Sequence, residues 1–169
     1  GLPFPRTWPD PRSILAITFT NKASGEMQER IEVLTRGARV WVSTFHAFCA
    51  RTLRRFASWV DYAPEFAILD GGDQLVAIRE ALRETGTDPK LFGAPKVLHA
   101  IEREKDQLRT PKDTEDDASS LFEQAVARAY AYYQDLLKQS NAMDFTDLLV
   151  KTVELLRQDT VRDVLCDRY

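Results

Sequence analysis

At 169 residues, 44% hydrophobic and 29% charged, the chain has the composition of a globular protein and is long enough for one good core, or a core with a small subdomain. No apolar run approaches the roughly 20 residues of a membrane span, and the first residues lack the basic-then-apolar order of a signal peptide. Cys49 and Cys166 stand far apart without metal-ligand spacing, so a cytoplasmic, reducing setting with no metal and no membrane partner is expected. The net charge of −3 argues against a general polyanion binder, yet residues 1–57 hold nine basic side chains against four acidic ones. That part carries about +5 and leaves about −8 for the rest, a distribution that suits local contact with a strand.

In chain order, residues 2–12 carry Pro3, Pro5, Pro9 and Pro11 and read as a surface loop, with Phe4 and Trp8 able to pack down. Residues 13–20 form a first strand built on an apolar run, Ile14 to Ile17, and the polar cluster Thr18-Phe19-Thr20-Asn21-Lys22 follows it. A helix is expected over 23–34, with Met27, Ile31 and Leu34 facing the core. Val40-Trp41-Val42-Ser43 is the second strand, Thr44-Phe45-His46 follows it, and a helix over 47–60 turns Phe48, Leu53, Phe56 and Val60 inward. After Pro64 the pattern is almost wholly helical. A turn and cap at Gly71-Gly72-Asp73 precedes a helix to Glu84, which Gly86 and Pro89 end. Another helix runs from Pro95 to about Leu108, until Thr110-Pro111 breaks it. The acidic residues 113–117 read as a solvated loop. Ser119 or Ser120 caps a long helix through Leu137, Ser140-Asn141 breaks it, and helices follow over 145–156 and 160–169. Two β-type runs followed by helices predict an α/β fold, part of a parallel sheet with an α-helical insertion.

Both strands end in the same kind of chemistry. In open α/β sheets the carboxyl edge is where ligands bind, and a helix N-terminus there offers free N–H groups to phosphate. Phe19 can stack a base or belong to the core, while Thr20, Asn21 and Lys22 can hold phosphate or sugar or simply cap the next helix. His46 has no second ligand at metal spacing, and no third group would orient a Cys49–His46 nucleophile. Asp144 and Asp147, three residues apart at a helix start, read as capping rather than catalytic. Arg103, Lys105 and Arg109, interleaved with Glu102, Glu104 and Asp106, read as a solvated face.

Ile17-Thr18-Phe19-Thr20-Asn21-Lys22-Ala23 resembles motif Ia of the UvrD/Rep/PcrA family of superfamily-one DNA helicases, and Val42-Ser43-Thr44-Phe45-His46-Ala47-Phe48-Cys49 resembles its Ser-Thr-Phe-His motif. Phe66-Ala67-Ile68-Leu69-Asp70 with Asp73-Gln74-Leu75 resembles the entry to that family's inserted helical subdomain 1B. Met143-Asp144-Phe145-Thr146-Asp147-Leu148-Leu149 resembles the return to the motor. The four occur in order over almost the whole chain. The resemblance implies a RecA-like P-loop NTPase sheet, with 1–63 belonging to the first motor domain, 64–141 to the inserted subdomain and 142–169 to the return. It implies DNA contacts at Phe19, Thr20, Asn21, Lys22, Thr44, Phe45 and His46. It implies a further contact at Lys105, in the insertion that approaches duplex DNA, and a strand-proximal place for Phe145. It also implies ATP and Mg²⁺ as cofactors of the longer protein, with single-stranded DNA, a duplex junction and a second motor domain as partners, unwinding 3′ to 5′, in repair or replication.

No Gly-x-x-x-x-Gly-Lys-Ser/Thr loop and no Asp-Glu pair after an apolar strand occurs in these 169 residues. The chain is therefore expected to be an internal piece lying between those two motifs, with no catalytic residue of its own and no tight ATP binding. A RecB/AddA-like helicase–nuclease and a non-enzymatic docking module from a degenerate motor are the alternatives.

Overall fold

The computed structural model describes residues 10–35, 37, 40–88 and 90–169. Most of the proline-rich segment with Phe4 and Trp8, as well as Arg36, Arg39 and Pro89, lies outside the described residues. Strand β1 (Leu15–Thr18) leads into helix α1 (Asn21–Thr35), and strand β2 (Trp41–Thr44) runs directly into helix α2 (Phe45–Arg55). The strands pair in parallel, Leu15 beside Trp41 and Thr18 beside Thr44, with α1 as the crossover that parallel pairing requires. Their carboxyl ends are therefore level.

The inner face expected on α1 is only partly realised. Met27 and Ile31 are half-buried, but Leu34 is exposed, as is Val33. The helix leans on β1 and β2 with one side only, and none of its residues is fully buried. Helix α2 stops at Arg55 rather than running to Val60. Residues Ala57–Val60 form a 3-10 turn, after which Asp61 takes a left-handed conformation at φ 57°. Leu53 and Val60 are buried as expected, and Phe48 and Phe56 half-buried.

Two further strands were not legible in the pattern: β3 (Ala67–Ile68) and β4 (Ala142–Met143), again parallel, with Ala67 beside Ala142 and Ile68 beside Met143. The segment between them is helical: α3 (Gly71–Glu84), α4 (Ala94–Asp106), α5 (Pro111–Asp116) and α6 (Leu121–Gln139). Helices α7 (Phe145–Leu156) and α8 (Asp159–Cys166) complete the chain. Asp70, not the glycine pair, caps α3; its carboxylate accepts from the N–H groups of Gly72 and Asp73. The acidic stretch is no loop. Thr110 and Asp113 cap one another's backbone, Pro111 sits where a helix tolerates proline, and Arg109 bridges Glu104 to Asp117. These contacts hold α5 helical despite its charge.

Two cores result. Ile78, Leu82, Val97, Ile101, Tyr133 and Leu137 fill one, between α3, α4 and α6. Leu53, Phe66, Met143, Leu148, Leu155 and Val161 fill the other, where α7 packs on α2 and α8. Strand β4 divides them: successive side chains of a strand point to opposite faces, so Ala142 joins the first core and Met143 the second. Asn141, at φ 46°, accepts from the Ala63 N–H at 2.9 Å, and the Lys138 ammonium donates to the carbonyls of Val60 and Asp61. Among the described residues, no helix is long and apolar enough to cross a membrane.

Candidate nucleic-acid interface

Because β1 and β2 end in register, the residues after them stand side by side. The rings of Phe19 and Phe45 lie 5.1 Å apart. Phe19 is 85% exposed, which excludes a core role for it in this chain, and Phe45 is 39% exposed. One residue on, the His46 ring meets the edge of Phe145, the first residue of α7, at 5.6 Å, with Phe145 half-exposed. Four rings, from the bend after β1, the start of α2 and the start of α7, thus stand in two contacting pairs beside the strand ends.

The helix starts complete this edge. The Thr20 hydroxyl accepts from the Ala23 N–H at 3.1 Å, and the Thr44 hydroxyl from the Ala47 N–H at 3.3 Å. Each hydroxyl keeps its own O–H to donate. Thr20 is thus the capping group, and Asn21 and Lys22 occupy the exposed first turn of α1. Two helix N-termini side by side give the edge unpaired backbone N–H groups and positive dipole ends, suited to phosphate.

Lys105 is not part of this edge, and neither a DNA contact nor a solvated face describes it. It is 1% exposed, and its ammonium donates to Asp144 at 2.6 Å and to Asp147 at 2.7 Å. The reason is positional: Lys105 continues the buried stripe Val97, Leu98, Ile101 of α4 at helical spacing, which points it into the protein. That stripe, with two aspartates three apart elsewhere in the chain, was the signal available in the sequence. Asp144 and Asp147 do form the capping box expected of them, the Asp147 N–H donating to Asp144 at 2.7 Å and the Asp144 N–H to Asp147 at 3.2 Å. The Tyr133 hydroxyl also donates to Asp144, at 2.9 Å, and the Gln134 amide to Asp147, at 3.2 Å. Burial pushes the Asp144 carboxyl up, but Lys105 and the hydrogen bonds outweigh it and leave its pKa below the ordinary value. Burial, joined by the neighbouring Asp144 charge, keeps Asp147 above its ordinary value. One ammonium shared by two buried carboxylates stabilises the first ionisation far more than the second.

Cys49 is buried and its thiol pushed up by burial, the opposite of an activated nucleophile. Among the described residues, no group of three or more His, Cys, Asp or Glu side chains is placed to hold a metal ion. A concave space of about 940 Å³ lies between α3 and α4 beside Arg79, Glu80 and Arg83 and contains none of the strand-end residues. No Gly-x-x-x-x-Gly-Lys-Ser/Thr loop occurs in these 169 residues, and Asp144 and Asp147 are held by Lys105.

Comparison with known proteins agrees with this architecture. A family model described as the UvrD/REP helicase N-terminal domain matches residues 7–169. The chain is 42% identical over 157 residues to an ATP-dependent DNA helicase PcrA of Bacillus subtilis, covering 92% of this chain and 21% of that protein. It is 39% identical over 150 residues to the protein of the same name from Staphylococcus aureus, covering 88% of this chain and 20% of that one. The Staphylococcus epidermidis protein of that name is likewise 39% identical over 150 residues, 88% of this chain and 21% of that protein. The chain thus spans about a fifth of the length of the curated relatives it matches. With the family match running from residue 7 to residue 169, through both strand-end motifs, this chain belongs to the UvrD/REP helicase N-terminal domain family.

Proposed function

We propose that this chain supplies the single-strand grip of an ATP-dependent DNA helicase or translocase that unwinds duplex DNA, 3′ to 5′, in repair or replication in the cytoplasm. Residues 1–63 and 142–169 belong in this proposal to a RecA-like motor domain, and 64–141 to its helical insertion at the duplex junction. ATP, Mg²⁺ and the second motor domain act on it from elsewhere in a longer protein. The observation that carries the proposal is the level pair of strand ends, with Phe19, Phe45, His46 and Phe145 presenting rings beside two helix N-termini. Phe19 and Phe145 stack bases. Thr20, Asn21, Lys22, Thr44 and His46 hold the phosphate–sugar backbone. Stacking tolerates any sequence, and backbone contacts ignore it, which is what a motor that must release and rebind every base requires.

The test is fluorescence anisotropy of a labelled single-stranded oligonucleotide across a salt series, with folding checked by circular dichroism. Phe19→Ala should weaken binding by about 1–3 kcal/mol. Thr44→Ala/His46→Ala should weaken it as well. Binding that neither variant alters removes the proposed track. No binding by the folded chain leaves two readings, a track that needs the second motor domain or a protein-docking role.

A further inference from the structure

Phe145 stands between two residues that do not belong to the exposed edge. Asp144 and Asp147 flank it, are 0% and 2% exposed, and face Lys105 from the last turn of α4. A capping box ordinarily sits at the surface, where water attends both its carboxylates. Here they share a dry site, and among the described residues Lys105 is the one cation within ion-pair reach of either. Without it, one carboxylate must take up a proton or swing out to water. The second response moves the first turn of α7, and Phe145 is in that turn. The opposite end of the linkage is equally fixed. Lys105 belongs to a helix whose Val97, Leu98 and Ile101 are locked in the first core, and its ammonium also lies 5.0 Å from the Tyr133 ring of α6. A displacement of α4 therefore reaches Phe145 through short, buried contacts rather than through a loop.

We propose that Lys105 is a positioning residue: by clamping Asp144 and Asp147 it sets where Phe145 stands against His46, and so lets the helices between β3 and β4 adjust the aromatic edge that grips single-stranded DNA. The inference rests on the single-strand reading above and deepens it, giving the insertion a mechanical part in the grip without a DNA contact at Lys105.

Two readouts on the folded chain test it. In the first, single-strand binding is measured for Lys105→Met, Phe145→Ala and the double variant. Each single variant should lose affinity about five-fold or more, the double should lose no more than Phe145→Ala alone, and the salt slope of Lys105→Met should match that of the unsubstituted chain. Additive losses, or unchanged affinity in Lys105→Met, overturn the proposal. So does a slope shallower by about 0.7, the mark of one lost phosphate contact. The second readout needs no DNA. The chain has two histidines, so two imidazole Hε1 signals. Lys105→Met should move the His46 signal toward its position in Phe145→Ala and leave His99 in place; an unmoved His46 overturns the proposal. Should the unsubstituted chain not bind, or Phe145→Ala bind fully, the single-strand reading fails by itself and the His46 signal still decides the geometry. If Lys105→Met does not fold, Lys105→Met/Asp147→Asn, which removes one charge of each sign, takes its place in both readouts.

Discussion

The two residues that most violate the ordinary order of burial mark the two ends of the proposed mechanism. Phe19 leaves a large apolar ring in water, which folding alone does not favour, and Lys105 places an ammonium in the interior, which costs several kcal/mol of desolvation before its partners offset it. The partners are nearly complete: among the described residues, no buried side-chain nitrogen or oxygen lacks a hydrogen bond. Tyr133 is the member whose removal is cleanest to interpret. Burial pushes its hydroxyl well above the ordinary range, so it remains a donor to Asp144 at any accessible pH. Tyr133→Phe keeps the ring and deletes that donor, and should cost about 1–3 kcal/mol at neutral pH. The sign with pH follows from Asp144. Its folded pKa is lowered, so its contribution is present above the ordinary value of 3.8 and is lost as pH falls through the folded value. Asp147, with a raised pKa, opposes this, its contribution being lost as pH rises through its folded value. Because the Tyr133 hydroxyl favours ionised Asp144, urea melts should show the Tyr133→Phe penalty shrinking below about pH 4. A penalty that stays constant down to the pH at which the chain acid-unfolds would mean the hydroxyl does not support that charge.

Helix starts show at the element scale how local chemistry fixed the fold. Helices α5, α6 and α7 each begin with a capping box, Thr110/Asp113, Ser120/Glu123 and Asp144/Asp147. Glu123 accepts from the N–H of Ser120, then from the hydroxyl and N–H of Ser119, and these donors push its carboxyl down to about 2. A lowered pKa means stability that is present above the ordinary 4.5 and lost as pH falls through about 2. Thermal melts of Glu123→Gln should therefore fall below those of the unsubstituted chain at pH 5.5, with the gap closing toward pH 2.5; a gap of fixed size would show that the loss does not come from the carboxylate's charge. The same cap residues made α6 and α7 legible in the sequence, since Ser120 and Asp144 precede long apolar-periodic stretches. Helix α5 was missed although it carries an equally good box, because six residues show no apolar period and their charge resembles a solvated loop. Strands β3 and β4 were missed for want of length: two residues cannot show alternation. At the site, hydroxyls and rings after an apolar strand were readable from order alone. That Phe145 would meet His46, and that Lys105 would turn inward, depended on contacts 39 or more residues apart in sequence.

For the whole molecule, the open question is whether two cores mean two folding units. The cores form separate clusters that meet at β4, and polar contacts cross the boundary at several points. Lys105 and Tyr133 of the insertion hold Asp144, Gln134 holds Asp147, and Lys138 and Asn141 hold the turn at residues 60–63. If the helices between β3 and β4 unfolded alone, they would strip the only described counter-ion from two buried carboxylates in the other half and leave backbone groups there without partners. That penalty opposes separate unfolding and favours one cooperative transition. The chain carries its own reporters: Trp8, Trp41 and Trp59 are its three tryptophans and all precede the insertion, whereas far-ultraviolet circular dichroism reads mostly the helices beyond them. Tryptophan fluorescence and circular dichroism should therefore melt together. Ile101→Ala, which opens a cavity in the first core, should lower both midpoints by the same amount, about 2–5 kcal/mol in stability. If circular dichroism fell first while the tryptophan signal of Ile101→Ala kept its original midpoint, the halves would be independent. The mechanical link from insertion to single-strand grip would then lack the rigidity it requires, because a motion of α4 could be absorbed by local unfolding before it reached Phe145.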